Sequence, residues 1–279
     1  MPRTRLAFMP LNTYPNVMAD EAIAPAIAFA ASLGCSLHVA TYAVNIPRLS
    51  SPLGGLLIDV PGLARAAEET SRAECRRLDA LARESAGAGL AVNVTCRELD
   101  LGAAFDVATH EARYHDLAIL PWSDPSITPQ DITQAVVFGS GRPAVIVPPS
   151  FSPEPLNHLA IAWDGSRVAA RALGDAMALL PEGGRLTVLT VQDEKPLAGP
   201  NIAQTLAASL EKRGFTARAN SVSLGRRTIA EALQEEAVAC GANLLAMGGF
   251  GHSRIRDFIL GGATKGVFAK LRLPVLLAH

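Results

Sequence analysis

The 279-residue sequence has no apolar run long enough to cross a membrane, and its first residues lack the apolar core of a signal peptide. It also has no block of like charges, because 25 basic and 26 acidic residues are interspersed along the chain. Nothing in this distribution favours binding to nucleic acid or to an anionic membrane surface. We therefore expect a cytoplasmic protein with neither a nucleic-acid partner nor a membrane partner.

Cysteine and aromatic residues are both scarce. The four cysteines are scattered and form no Cys-x-x-Cys pair, so we expect buried free thiols in a reducing compartment and no metal site; they are Cys35, Cys75, Cys96 and Cys240. Aromatic residues make up 5% of the chain, whereas hydrophobic residues make up 49%, with Leu, Ala and Val dominant. This composition is typical of an α/β protein whose strands are covered on both faces by Ala-rich helices.

Short apolar runs alternate with helical patterns along the whole chain, and their order repeats halfway. The runs at 116–120 and 243–247 correspond, as do those at 142–147 and 273–277. Alternating strands and helices imply a mostly parallel sheet with right-handed crossovers. We interpret the repeat as an internal duplication of one five-stranded α/β unit, for which a common strand order is 3-2-1-4-5.

A proline-rich segment between the two repeats is the strongest candidate for a domain boundary. Four prolines lie within residues 148–155. We therefore predict two tandem domains, over residues 1–149 and 156–279. Their last strands, at 143–147 and 274–277, are apolar sheet edges that need cover. We predict that these two strands pair, which would make the chain an intramolecular pseudo-dimer.

Glycines lie at both ends of the segment that follows the predicted strand 244–247. Gly248 and Gly251 stand near its start, and Gly261 and Gly262 precede a helix predicted over 265–272. Glycine permits positive φ and close approach, and a helix N-terminus presents unpaired N–H groups to an anion. The segment therefore suggests phosphate binding. The alternative is that these glycines only form the turns between a strand and a helix, as glycines do at many such junctions.

The segment matches neither the Walker loop nor the dinucleotide-binding fingerprint. Its spacing of Gly248, two residues, Gly251, nine residues and Gly261 resembles the nucleotide loop of the universal stress protein family. In that family a Ser or Thr follows the last glycine. Here Gly262 takes the hydroxyl position, and Thr264 is the nearest substitute.

The resemblance covers both halves in layout but only the second half in motif. It implies the tandem α/β fold described above. It also implies binding of ATP, with or without Mg²⁺, in stress response or signalling. Catalysis would be absent or limited to slow ATP hydrolysis. Members of that family form dimers, which implies the same pairing between the two halves of this chain. Whether two whole chains also form a homodimer stays open.

In an open parallel sheet, ligands bind outside the carboxyl ends of the strands at the topological switch point. In the second half, two stretches meet there, Ala162-Trp163-Asp164 and Met247-Gly248. The Asp164 carboxylate would repel phosphate, so we expect it to accept hydrogen bonds from adenine or ribose. Capping of the next helix is an equally open alternative.

The resemblance implies the same role for Asp164 and points to Val191 as an apolar wall for the base. An ordinary core valine is the alternative at that position. The remaining candidates lie on the loop and the start of its helix: His252, Ser253, Arg254, Ala263 and Thr264. Arg254 suits phosphate oxygens, although solvated loop arginines are common. No catalytic residue is predicted, because His252 has no fixed partner.

The first half lacks both the loop glycines and the aspartate that follows the first strand. After its fourth strand it reads Pro121-Trp122-Ser123, and Asn12 stands where the second half has Asp164. Proline has no N–H to donate to a phosphate. We predict that this half does not bind nucleotide in the same way and is a structural or regulatory partner.

Two other functions stay open from the sequence. An adenylating enzyme of the wider α/β group would carry His-x-Gly-His or Ser-Gly-Gly-x-Asp-Ser, and neither motif occurs. An interaction scaffold with a degenerate site in both halves stays open because Gly262 lacks the family hydroxyl. Bound adenine nucleotide in the purified protein would distinguish a binder from a scaffold.

Overall fold

A computed structural model describes residues 4–47, 59–123, 127–192, 199–249 and 262–279, with the backbone alone for 127–131 and 262–265. The strands of this part are β1 (Arg5–Asn12), β2 (Cys35–Asn45), β3 (Val92–Asp100), β4 (Leu117–Pro121), β5 (Ala144–Val147), β6 (His158–Ala162), β7 (Arg185–Val191), β8 (Thr216–Val222), β9 (Leu244–Gly248) and β10 (Val275–Ala278). The helices are α1 (Asp20–Ser32), α2 (Val60–Ala86), α3 (Ala104–Ala112), α4 (Ile127–Gly139), α5 (Arg167–Met177), α6 (Ile202–Glu211), α7 (Ile229–Ala239) and α8 (Gly262–Ala269).

The strands form a 10-stranded sheet in the order β3-β2-β1-β4-β5-β10-β9-β6-β7-β8. Within each half the neighbouring strands are parallel, and the order is 3-2-1-4-5. Both the α/β class and the strand order predicted from the sequence are confirmed. A switch point therefore lies in each half, between β1 and β4 and between β6 and β9.

The two halves join through their last strands. Strand β5 pairs with β10 in antiparallel register, with Val145 opposite Leu276 and Ile146 opposite Val275. These side chains are buried, so the apolar edges cover each other. The predicted pairing is confirmed, and it makes one continuous sheet from two equivalent units.

Each face of the sheet packs against four helices. One core cluster combines residues of α1, α2, α5 and α6, and the other combines residues of α3, α4, α7 and α8. The two clusters lie on opposite faces of the sheet, because successive side chains of a strand point to opposite faces. Met9 belongs to the first cluster and its neighbour Phe8 to the second. Burying a side chain of this size contributes about 1.5–3 kcal/mol.

Three local features differ from the sequence-based expectation. The Pro-, Ser- and Gly-rich stretch 45–62 predicts a surface loop, but helix α2 begins within it at Val60, and the Asp59 side chain accepts a hydrogen bond from Gly62 N at 2.9 Å. Helix α8 begins at Gly262, three residues before the predicted start. Cys96 is exposed, because it lies on β3 at the edge of the sheet. The expectation that all four thiols are buried is therefore wrong for Cys96, and it is also wrong for Cys240, which is half-buried.

Within the described ranges, no helix is long and apolar enough to span a bilayer. In the same ranges, no three His, Cys, Asp or Glu side chains are grouped so that they could hold a metal ion.

Candidate functional site

The carboxyl ends of β6, β7 and β9 bring several predicted residues together. Strand β6 lies between β7 and β9, so Ala162, Val191 and Gly248 end three neighbouring strands at the switch point. Ala162 and Val191 are half-buried against the same core cluster. They form an apolar surface at the carboxyl ends of these strands.

Asp164 closes the turn that follows β6. Its Oδ1 accepts a hydrogen bond from Ser166 N at 2.9 Å, and Gly165 between them has a φ of 78°. The cap of α5 is Ser166, whose Oγ accepts from Ala169 N at 3.2 Å. The helix-capping role considered for Asp164 thus belongs to Ser166. The half-buried Asp164 carboxylate is instead held at the mouth of the switch point.

Trp163 faces away from Ala162 and Val191. Its side chain packs against the cluster on the opposite face of the sheet. Its backbone is held on both sides, since Trp163 N donates to Leu189 O at 2.8 Å and Thr190 Oγ1 donates to Trp163 O at 2.8 Å. Any part that Trp163 plays at the switch point therefore involves its backbone rather than its indole ring.

Gly248 has a packing reason to be glycine. A Cβ on Gly248 would lie 2.7 Å from Val168 Cγ2, 2.8 Å from Val168 C and 2.9 Å from Ala169 N. The first turn of α5 therefore approaches β9 closely only because Gly248 has no side chain. Met247, the residue before it, is buried in the core.

Gly249 also makes contacts within the fold. Its N–H donates to Ala278 O at 2.8 Å, and a Cβ there would lie 3.2 Å from Phe138 Cε1 of the first half. The glycine-rich loop thus starts with two residues that serve internal packing. Gly248 and Gly249 therefore give no evidence of phosphate binding.

The middle of the predicted phosphate loop, with Gly251, His252, Ser253, Arg254 and Gly261, lies outside the described residues. Gly262, Ala263 and Thr264 form the first turn of α8, so this helix begins directly after Gly261. No acidic residue stands in that turn. Its positive dipole end is therefore not neutralised by a carboxylate of its own.

In the first half, Trp122 replaces Gly249. Trp122 N donates to Val147 O at 2.9 Å, which is the same bond that Gly249 makes to Ala278. The indole ring is buried, with its centroid 5.3 Å from that of Phe268 on α8. A side chain that packs between the halves stands where the second half has the start of its glycine loop.

The strand registers also place Tyr42 at the position of Val191. Ala7 pairs with Leu37 in the first half as Leu159 pairs with Leu186 in the second, and Tyr42 and Val191 each lie five residues further on. The Tyr42 hydroxyl donates to Glu111 Oε2 at 2.8 Å. Burial, reinforced by the Glu111 carboxylate, raises the pKa of Tyr42 well above its usual value. Sequence reasoning missed this substitution, because only the registers align β2 with β7.

Asn12, the counterpart of Asp164, is buried and organises its own loop. Its Nδ2 donates to Tyr14 O at 2.6 Å and to Asn16 O at 3.1 Å. Both amide hydrogens are thus used within the first half. In the first half, the counterpart of Asp164 is thus engaged in contacts within its own loop.

Comparison with known proteins points to one family. The sequence model of the universal stress protein family matches residues 156–279. These residues form a universal stress protein domain. Universal stress protein Slr1230 of Synechocystis sp. is 30% identical over 153 residues, which cover 51% of this chain and 49% of that protein. The chain thus spans about half the length of this relative.

The fold of a universal stress protein extends over both halves. The crystal structure of a universal stress protein from Archaeoglobus fulgidus DSM 4304 covers 97% of this chain and 97% of its own, with a TM-score of 0.67. Its sequence identity is 15%, so this likeness concerns the fold alone. The fold of this chain thus has a counterpart over nearly its whole length.

Proposed function

We propose that the universal stress protein domain of residues 156–279 binds an adenine nucleotide, ATP with or without Mg²⁺. The observation that supports this most is the meeting of Asp164, Val191 and Gly248 at the switch point between β6 and β9. Open α/β sheets bind ligands at this place. The chain would act in stress response or signalling and would turn over ATP slowly or not at all.

The proposed contacts divide the nucleotide into two ends. The Asp164 carboxylate accepts hydrogen bonds from adenine or ribose, and Val191 with Ala162 forms the apolar wall beside the base. The phosphates lie toward the start of α8, where Gly262, Ala263 and Thr264 present backbone N–H groups. The absence of an acidic residue in this turn supports the fit.

The loop residues complete the proposed phosphate site. Gly251 and Gly261 would donate backbone N–H groups, and Ser253 and Arg254 would add side-chain donors. His252 would be a polar loop residue rather than a base. Mg²⁺, where bound, would neutralise phosphate charge and keep several of its waters.

The first experiment is to denature the purified protein and to identify any released nucleotide by chromatography and absorbance. Adenine nucleotide should be released, or the protein should bind added ATP. Asp164→Ala should weaken binding by roughly ten- to a hundredfold, because a hydrogen bond to a charged group contributes about 1.5–3 kcal/mol. Asp106→Ala, an exposed aspartate of the first half, is the matched control and should bind as the parent does.

Valine substitutions test the loop directly. Gly251→Val and Gly261→Val should abolish binding, since a branched side chain obstructs either the phosphate or the required φ. Ser123→Val, at the corresponding edge of the first half, should leave binding intact. Loss of binding in all three variants would argue for general unfolding and against a local phosphate site.

A scaffold without nucleotide is the second candidate function. Gly248 and Gly249 both have internal packing reasons to be glycine, and Gly262 lacks the family hydroxyl. If the parent protein binds no adenine nucleotide at about millimolar concentration, the scaffold replaces the binder.

We also propose that the units comprise residues 1–149 and 156–279 and that the chain works in the cytoplasm, with a homodimer of whole chains open. Strand β5 or β10 would become an uncovered apolar edge in an isolated half. Each half expressed alone should therefore aggregate or self-associate. A stable soluble monomer of either half would contradict this proposal.

A further inference from the structure

The first half contains a cavity at the carboxyl ends of β1, β2 and β3. Its volume is about 290 Å³, near the lower end of the range for small-molecule sites. Aromatic and aliphatic side chains dominate its lining, including Tyr14, Tyr42, Val44, Leu99, Leu101 and Phe105. It occupies the side of the switch point at which an α/β sheet binds ligands, shifted toward β3 and α3.

Hydrogen bonds hold the walls of this cavity in place. Asn12 fixes one wall through its bonds to the carbonyl oxygens of Tyr14 and Asn16. On the other side, Asn45 Nδ2 donates to Asp100 Oδ1 at 3.0 Å, and Leu101 N donates to Asn45 O at 3.0 Å. The cavity is therefore formed by the fold itself and needs no ligand to shape it.

The lining excludes phosphate. No Lys, Arg or His lines the cavity among the residues that the structure describes, and the ionisable side chains along it are Tyr14, Tyr42 and Asp100. A carboxylate beside an anion costs free energy, whereas it attracts a cation or a hydrogen-bond donor. The Tyr42 hydroxyl already donates to Glu111. The lining of this cavity is therefore unsuited to an anionic ligand.

The mouth of the cavity presents apolar surface to solvent. Leu101 is 52% exposed and lines the cavity together with the half-buried Phe105. A ring inserted between the two would remove apolar surface from water, which favours binding. Apolar walls with one carboxylate at the edge suit a small ring that carries a positive group.

We propose that this cavity in the first half binds a small aromatic amine, with its ring against Phe105, Leu99 and Val44 and its ammonium group toward Asp100. The site is separate from the proposed nucleotide site and does not depend on it. It gives the first half a ligand of its own, of opposite charge to the ligand of the second half.

Methyl NMR of the full chain titrated with 2-phenylethylamine tests this. The methyl signals of Val44, Leu99 and Leu101 should shift with a Kd on the order of millimolar, since the probe has few atoms. Phenylacetate, which has the same ring and the opposite charge, should bind roughly three- to fivefold more weakly, as a partly exposed ion pair implies. ATP should not displace the amine.

Two variants distinguish the contribution of the Asp100 charge to binding from that of the cavity volume. Asp100→Asn keeps an acceptor for Asn45 and should remove the preference for the amine over the acid, whereas Asp106→Asn on α3 should keep it. Ala104→Leu, which adds atoms inside the cavity, should weaken both probes, with a thermal unfolding scan to verify the fold. The proposal fails if neither probe shifts these methyl signals at about 10 mM, if both bind equally to the parent, or if ATP displaces the amine.

Discussion

Trp122 of the first half packs against Phe268 of the second, with ring centroids 5.3 Å apart and an angle of 51° between the ring planes. Trp122 stands where the second half has Gly249, and Phe268 lies on the helix that follows the glycine loop. The first-half residue at the Gly249 position thus packs against a helix of the second half.

Truncation of this contact should destabilise the chain. Trp122 is 5% exposed, and replacing a buried Trp by Ala costs about 3–5 kcal/mol. We expect Trp122→Ala to lower the free energy of unfolding in urea by that amount. Tyr114→Ala is the control, because Tyr114 is 84% exposed and surface changes stay within about 0.5 kcal/mol. Equal effects of the two variants would show that the contact does not stabilise the fold.

Gly248 should tolerate no side chain. In Gly248→Ala the new Cβ would meet backbone atoms of Val168 and Ala169 at under 3.0 Å, so we expect a loss of about 1–3 kcal/mol from overpacking. Gly174→Ala is the matched control, because Gly174 lies inside α5 with open space around it. That variant should gain about 0.4–1 kcal/mol. Urea unfolding measures both, and a neutral Gly248→Ala would contradict the close approach.

Gly262→Ser restores the hydroxyl of the family pattern. A bond to a charged phosphate contributes about 1.5–3 kcal/mol, so the gain in affinity should be at most about a hundredfold. Because the added contact lies near the terminal phosphate, ATP should gain more than ADP. Calorimetric titration of both nucleotides measures the ratio. An improvement in neither would favour the scaffold.

A histidine pair in the first half should make stability depend on pH. His115 Nδ1 lies 2.9 Å from Glu111 O, which only accepts, so His115 Nδ1 donates and its Nε2 accepts from His38 Nδ1 at 3.3 Å. His38 Nε2 then accepts from Thr95 Oγ1 at 2.8 Å. In this arrangement the His38 ring is neutral, with its proton on Nδ1 and an acceptor at Nε2. Burial, and then the nearby His115, lower the pKa of His38 below its usual 6.5.

The sign follows from the lowered pKa. Below pH 6.5 the unfolded chain binds a proton at His38 that the folded chain resists, so stability present at neutral pH is lost as the pH falls. We expect the free energy of unfolding to decrease from pH 7 toward pH 5. His38→Gln should make this decrease shallower. An unchanged slope would exclude His38 as its source.

Much of the fold could be predicted from the sequence, because each half repeats a strand–helix alternation that few topologies satisfy. The pairing of β5 with β10 followed from apolar edges that needed cover. The start of α8 was placed too late, since Gly262 carries no capping signal. The exposure of Cys96 was missed because the hydrophobic pattern does not show that β3 ends the sheet.

The site was harder to predict than the fold. Gly248 matched a binding motif, yet its glycine is required by contact with Val168, which lies 80 positions earlier in the sequence. Such a contact cannot be read from local spacing. The cavity beside Tyr42 was missed for the same reason, because its walls come from three strands and a helix.

The number of ATP molecules bound by each chain tests the central claim most directly. Calorimetric titration of the full chain with ATP should give one site per chain, located in residues 156–279 and lost in Gly261→Val. Two equivalent sites per chain would contradict the prediction that only the second half binds nucleotide. No binding at about millimolar ATP would contradict nucleotide binding altogether.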